Sequence, residues 1–157
     1  MERARLVGSL FVVRVVLDAN IIISALITPH GIGAKLIEAW SADRYILLTH
    51  DILLAELRDV TRRPEFRGRM TRHDAGRMIN RLGTASVRVA QIPLVQRSAD
   101  PFDDYLLGLA EGGRADILVS GDKRGVLALK THGSTRIITA RQFHDELGLS
   151  RGDQGLT

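Results

Sequence analysis

Residues 12–26 read VVRVVLDANIIISAL, an almost unbroken apolar run that Asp18 and Asn20 interrupt. Residues 12–17 are β-branched or aliphatic on both faces apart from Arg14. That is how a central strand of a parallel sheet reads when both of its faces are covered. An acid directly after such a strand falls in the crevice beyond the carboxyl ends of the strands, where open α/β sheets build their sites. What Asp18 does there is the first question the sequence poses.

The rest of the chain supplies the frame. Residues 31–43, GIGAKLIEAWSAD, offer a helical pattern through Ala34, Leu36, Ile37 and Trp40. A short strand, YILLT, follows at 45–49, and then a helix over 50–63 that Pro64 closes. Residues 71–83 predict a helix with Thr71 as N-cap and Gly83 as its stop. SVRVAQI at 86–92 alternates like a half-buried edge strand. The segment 100–113, DPFDDYLLGLAEGG, predicts a helix opened by Asp100 and Pro101 and closed by Gly112 and Gly113. A buried strand (115–122), a short helix (123–130), a last strand (135–140) and a last helix (141–148) complete the pass. Alternation of this kind predicts an α/β sandwich with a parallel sheet of four or five strands, right-handed crossovers and helices on both faces.

Composition narrows the chemistry. A chain of 157 residues with 45% hydrophobic and 25% charged residues has the size and balance of one domain with one core. The absence of cysteine removes disulfides, thiolate nucleophiles and thiolate metal sites, so any metal must be held by oxygen or imidazole. A net charge of +4 and a pI near 10.1 lean modestly toward polyanionic partners. The opening MERARLVGSLFVVRVV has early arginines before an apolar run, but Arg14 breaks that run and no small-residue cleavage site follows. No apolar run approaches the roughly 20 residues that would span a bilayer. The expectation is a cytoplasmic protein without a membrane role, with residues 1–11 as an extension, a domain over 12–147, and a polar disordered tail over 148–157.

The acids then separate into explained and unexplained ones. Asp18 could bond the amides of the next turn, and Asp122 could cap the short helix after it. Glu56 has Ile52, Leu53 and Val60 at i−4, i−3 and i+4, which turns it toward an apolar face unless it pairs with Arg63 or another surface arginine. In DPFDD, Asp100 as N-cap and Asp103 at the third helical position make a good helix start, whereas capping does not require Asp104. Together Asp18, Glu56, Asp103 or Asp104, and Asp122 are expected to converge at one end of the sheet. Hard oxygen donors suit Mg²⁺ or Mn²⁺ rather than zinc. His30, His50, His73, His132 and His144 are scattered without ligand spacing and read as surface or capping residues. Carboxylate-held Mg²⁺ acts above all on phosphate esters, so the chemistry points to phosphodiester hydrolysis.

The segments VVLDANIIISAL, LLAELRDVTRR, DPFDDYLLGLAEGGRADILVSGD and IITARQFHDEL resemble, in that order, the PIN-domain ribonucleases. They are most similar to the branch of toxin components of toxin–antitoxin pairs related to VapC toxins, and the resemblance spans about residues 12 to 147. It implies a Rossmann-like parallel sheet flanked by helices. It also implies Mg²⁺- or Mn²⁺-dependent endoribonuclease activity, with an RNA substrate, a small cognate antitoxin and room for a homodimer as partners. On the family pattern Asp18, Glu56, Asp103 and Asp122 match the four catalytic, metal-binding acids, Asp104 adds to the metal set, and Asn20 and Ser120 support the site. The family's Thr-Gly-Asp-like element is Ser120-Gly121-Asp122 in this chain.

Arg58, Arg62, Arg63, Arg67, Arg69, Arg72, Arg77 and Arg81 crowd the stretch after Glu56. Such a run is either a solvated face or a set of phosphate contacts, for which Arg62, Arg63 and Arg67 are the candidates. With aromatics at 4% of the chain, base stacking cannot be the main mode of RNA binding. A haloacid-dehalogenase-like phosphatase would want an Asp at position 20 and an acid among residues 125–127, where Asn20, Gly125, Val126 and Leu127 stand. A receiver domain would leave the helix of Glu56 without a role. A non-catalytic PIN-like module that binds RNA or a protein partner would be expected to lack one of the acids, and all are present.

Overall fold

The structure is a computed structural model, and it describes residues 12–149. The extension 1–11 and residues 150–157 of the tail lie outside the described residues. Strand β1 (Arg14–Leu17) is central, as its composition predicts: β2 (Ile46–Thr49) pairs with one edge and β4 (Ile117–Val119) with the other, both parallel. Beyond β2 lies β3 (Val87–Arg88), parallel and at the sheet edge. Beyond β4 come β6 (Thr135–Ile138), parallel, and β5 (Thr131–His132), antiparallel to β6, so the order is β3-β2-β1-β4-β6-β5.

Among the described residues the sheet therefore has six strands instead of the four or five expected, and one pairing is antiparallel. The added strand is a two-residue arm of a hairpin that turns at Gly133 and Ser134, with Gly133 at φ 57. Two-residue hairpin loops demand such left-handed backbone. An arm of two residues is too short to carry a hydrophobic period, so the sequence pattern cannot announce it.

Arg14 sits at the start of β1, where its Nε donates to the Gly113 carbonyl at 3.0 Å and its backbone amide donates to Asp116 Oδ2 at 2.9 Å. The charge thus stays at the rim while Val15, Val16 and Leu17 are fully buried. With Leu48, Leu118 and Val119 they form the centre of the core, each large aliphatic side chain contributing about 1.5–3 kcal/mol of burial.

Among the described residues six α-helices cover the two faces of the sheet in a three-layer α/β arrangement. Helix α1 (Ala19–Ile27) follows β1 at once and is hidden in the sequence because its apolar residues continue those of the strand. It packs on α2 (Ile32–Ser41), where Gly33 allows close approach: a Cβ there would collide with the Ser24 side chain and the Ile21 carbonyl. Among the described residues no single helix is long and apolar enough to cross a membrane. Helix α3 (Asp51–Thr61) is capped by His50, whose Nδ1 accepts from the Ile52 amide at 3.1 Å. Helix α4 (Arg72–Ala85) is capped by Thr71 as expected, but it runs past Gly83 and ends at Ser86, whose hydroxyl donates to the Leu82 carbonyl. Helix α5 (Pro101–Gly112) starts at Asp100, which accepts from the Phe102 amide at 2.9 Å, and lies against β1, β2 and β4. Helix α6 (Ala140–Glu146) opens with a capping box between Thr139 and Gln142. Past its end, Gly148 takes φ 71 and the Leu149 amide donates to the His144 carbonyl at 3.3 Å, so the first two residues of the tail segment finish the helix.

Candidate active site

The register of the two central strands builds the site. Leu17 of β1 pairs with Val119 of β4, so Asp18 and Ser120, the next residue on each strand, emerge side by side at the carboxyl end. The Asp18 amide donates to the Val119 carbonyl at 3.0 Å, which fixes its backbone to the neighbouring strand. Ser120 is fully buried; its hydroxyl donates to Asp18 Oδ2 at 3.1 Å and accepts from the Asp122 amide at 3.1 Å. Because an amide can only donate, the single hydroxyl proton of Ser120 is directed to Asp18. Ser120 thereby ties the two strand-end acids together.

Asp18 is 6% exposed and also caps α1, with Oδ1 accepting from the Asn20 amide at 3.4 Å. Burial pushes its carboxyl up from the usual range, the Asn20 amide and Ser120 hydroxyl pull it back, and the charge of Asp122 adds to the rise. The capping reading of Asp18 is thus correct as far as it goes. It does not account for the neighbouring acids.

Asp103, on the first turn of α5, is 4% exposed and is pushed up to about 6. Burial is the largest cause, followed by the charges of Asp100, Asp122 and Asp18, with the Ser98 hydroxyl opposing them. Asp122 lies at the exposed mouth, where its Oδ1 accepts from the amides of Arg124 at 3.2 Å and Gly125 at 3.0 Å. Its other oxygen, Oδ2, and Asp103 Oδ2 both crowd the side of Gly125 where a Cβ would stand. Gly125 therefore lets the two carboxylates share one space, a role that the sequence pattern did not mark.

The structure brings together Asp18, Asp103, Asp122 and Ser120. It places the other candidates less directly. Asp104 is turned to the loop before α5: its Oδ1 accepts from the amides of Arg97 at 3.0 Å and Ser98 at 2.8 Å. This loop-bracing bond is the use for Asp104 that capping of α5 did not supply. Glu56 is half-buried on α3, and no hydrogen bond or ion pair among the described residues engages its side chain. Arg63 pairs with Asp59 at 3.2 Å instead. Of the residues around Glu56, Leu53 and Val60 are buried but Ile52 is 53% exposed, so its face is the margin of the apolar stripe. Asn20 is exposed and contributes its amide. Tyr105 was not anticipated: its hydroxyl accepts from the Leu53 amide at 3.0 Å, joining the helix of Asp103 to the first turn of the helix that carries Glu56. His132 bonds Glu111 and Arg97, and His144 bonds Asp145, so neither faces the acids.

No lysine or arginine forms an ion pair with Asp18, Asp103 or Asp122 among the described residues. An all-oxygen set of uncompensated carboxylates, two of them buried with raised pKa, fits a hard divalent cation. As the side chains stand, no three His, Asp or Glu residues among the described ones are closed into a metal-holding group.

A sequence profile of the PIN domain matches residues 14–124, and the chain belongs to the PIN-domain family. No curated protein sequence matches it. Among solved structures it is similar to PAE2754 from Pyrobaculum aerophilum, at 18% identity and a TM-score of 0.59 over 87% of this chain and 90% of that one. At that identity the likeness concerns the fold. PIN domains are generally nucleases.

Proposed function

We propose that the chain is a metal-dependent endoribonuclease that hydrolyses RNA phosphodiester bonds, and that it serves as the toxin component of a toxin–antitoxin pair. The observation that carries the nuclease reading is the gathering of Asp18, Asp103 and Asp122 around Ser120 and Gly125 without a counter-charge. A bound Mg²⁺ or Mn²⁺ supplies Lewis acidity toward the phosphate and lowers the pKa of water. Asp18, Asp103 and Asp122 would hold it, with Glu56 and Asp104 as the further candidates at the rim. Ser120 keeps the Asp18 carboxylate oriented, and the two amides on Asp122 Oδ1 leave its Oδ2 turned to the shared space. Asp103, with its pKa at about 6, is the carboxyl whose proton is held most readily near neutral pH. It must lose that proton before a cation takes its place.

The toxin role rests on the resemblance of the four acidic segments to that branch, with a small antitoxin as the partner. Purified protein incubated with labelled RNA in Mn²⁺, and again in EDTA, tests the chemistry: cutting that EDTA abolishes is expected. Metal-independent cutting, or none in Mn²⁺, would remove the reading and leave a binding module. Growth arrest on expression, relieved by co-expression of a small antitoxin encoded beside the gene, is expected and tests the biology.

A further inference from the structure

Away from the acids, α3 and α4 enclose a groove of about 490 Å³, lined by Arg58 and Arg62 on one wall and by Arg72, Gly76, Ile79 and Asn80 on the other. Its volume lies within the roughly 300–1,000 Å³ of small-ligand clefts. Two placements in it set positive charge against positive charge or against a helix dipole. Arg58 and Arg62 stand at i and i+4 on one helix face, where like charges repel. Arg72 is the first residue of α4, where the helix dipole disfavours a cation. None of the three has an acidic partner among the described residues, which is true also of Arg67, Arg69 and Arg77. Three guanidinium groups converging from two helices on one groove offer paired donors that match an oxyanion.

We infer that this groove is a second contact site for the RNA strand and holds a sugar–phosphate segment; the assignment of RNA rests on the nuclease reading above. Every cation between Lys35 and Lys123 is arginine, whose planar fork grips phosphate oxygens in pairs. Ile79 is buried and, with Gly76, forms an apolar floor suited to a ribose rather than to a second row of charges. Gly76 is open: a Cβ there meets nothing within 4 Å, so the floor has room for a ligand.

The test is binding without cleavage. Anisotropy of a labelled single-stranded RNA is measured with full-length protein in EDTA over a salt series. The variants are Arg58→Gln/Arg62→Gln/Arg72→Gln, and Arg114→Gln/Lys130→Gln/Arg141→Gln as a control of equal charge at exposed sites outside the groove. Gly76→Leu keeps every charge and fills the floor. The groove variant should bind at least about tenfold more weakly at low salt. Its log–log salt slope should flatten by about 2, at about 0.7 per lost contact to a single strand. Gly76→Leu should weaken binding severalfold with its helical circular dichroism unchanged, and the control should bind nearly as wild type. Equal losses in groove and control variants would overturn the proposal, as would a wild type that ignores RNA. So would a wild type that prefers polyglutamate and loses it in the groove variant, which would make this a site for an acidic protein partner. Failure of the nuclease reading shows separately, as absence of Mn²⁺-dependent cutting with this binding intact.

Discussion

The carboxyl edge of the sheet and the groove between α3 and α4 collect charge of opposite sign under opposite conditions. At the sheet edge, Asp18 and Asp103 are buried, and the loss of water, with repulsion from neighbouring acids as a smaller addition, makes their carboxyls hold protons more tightly. In the groove, Arg58, Arg62 and Arg72 are exposed, and water screens their crowding into one place. The two regions teach that unpaired charge costs stability where the fold removes water and costs little where it does not. A metal-free chain should therefore be weakened by its acids and almost indifferent to its arginines.

The largest effect expected is on cleavage. Asp18→Asn and Asp122→Asn should each leave a folded protein whose RNA cutting in Mn²⁺ falls by several orders of magnitude, because packing is kept while a charged donor is lost. Wild-type-like cutting by either would detach the acids from the chemistry. Gly125→Ala comes next. Its methyl group would push apart Asp122 and Asp103, and displacements on the order of 1 Å cost about 100-fold in rate. Single-turnover cleavage measures it, and an unchanged rate would mean that the two carboxylates need not share that space.

Stability separates the two regions more finely. Asp103 binds its proton more tightly folded, at about 6, than unfolded, at 3.8. Folding therefore loses stability as pH rises through that interval, the penalty is complete above it, and it vanishes below it. Asp103→Asn should thus stabilise the metal-free protein at neutral pH by up to about 3 kcal/mol, at about 1.4 kcal/mol per pH unit between those two values, against a few tenths lost from the helix dipole. The gain should disappear at a pH below the ordinary carboxylate range. Urea denaturation in EDTA at both pH values gives the answer, and an equal or lower stability at neutral pH would break the comparison. Smallest of all, Arg63→Gln should change stability by no more than about 0.5 kcal/mol, as exposed pairs do, and leave RNA affinity near that of wild type. A loss of affinity as large as that of an Arg62→Gln variant would extend the contact surface past the groove.

Much of this was legible in the chain. Residues 12–17 announced a central strand because burial on both faces leaves no polar alternation. Asp100, Pro101 and Thr71 announced helix starts because capping is local chemistry that neighbouring residues decide among themselves. The order of the acids along the chain was enough to suggest the family and the atoms a cation would want.

What the chain alone left undecided depends on pairs far apart in sequence. Ser120 acquires its role only when β4 docks beside β1 in the register that sets it against Asp18. Gly125 matters only because two carboxylates, one from another element, converge where its side chain would be. Asp104 serves the loop at Arg97 and Ser98, and Arg63 serves Asp59, leaving Arg62 to face Arg72 across the groove. The sequence by itself determined which residue types were present and which elements they would start. Only the tertiary structure decided which of those charges meet and which stay in water, because that choice is made by strand register and helix packing rather than by any residue's own preference.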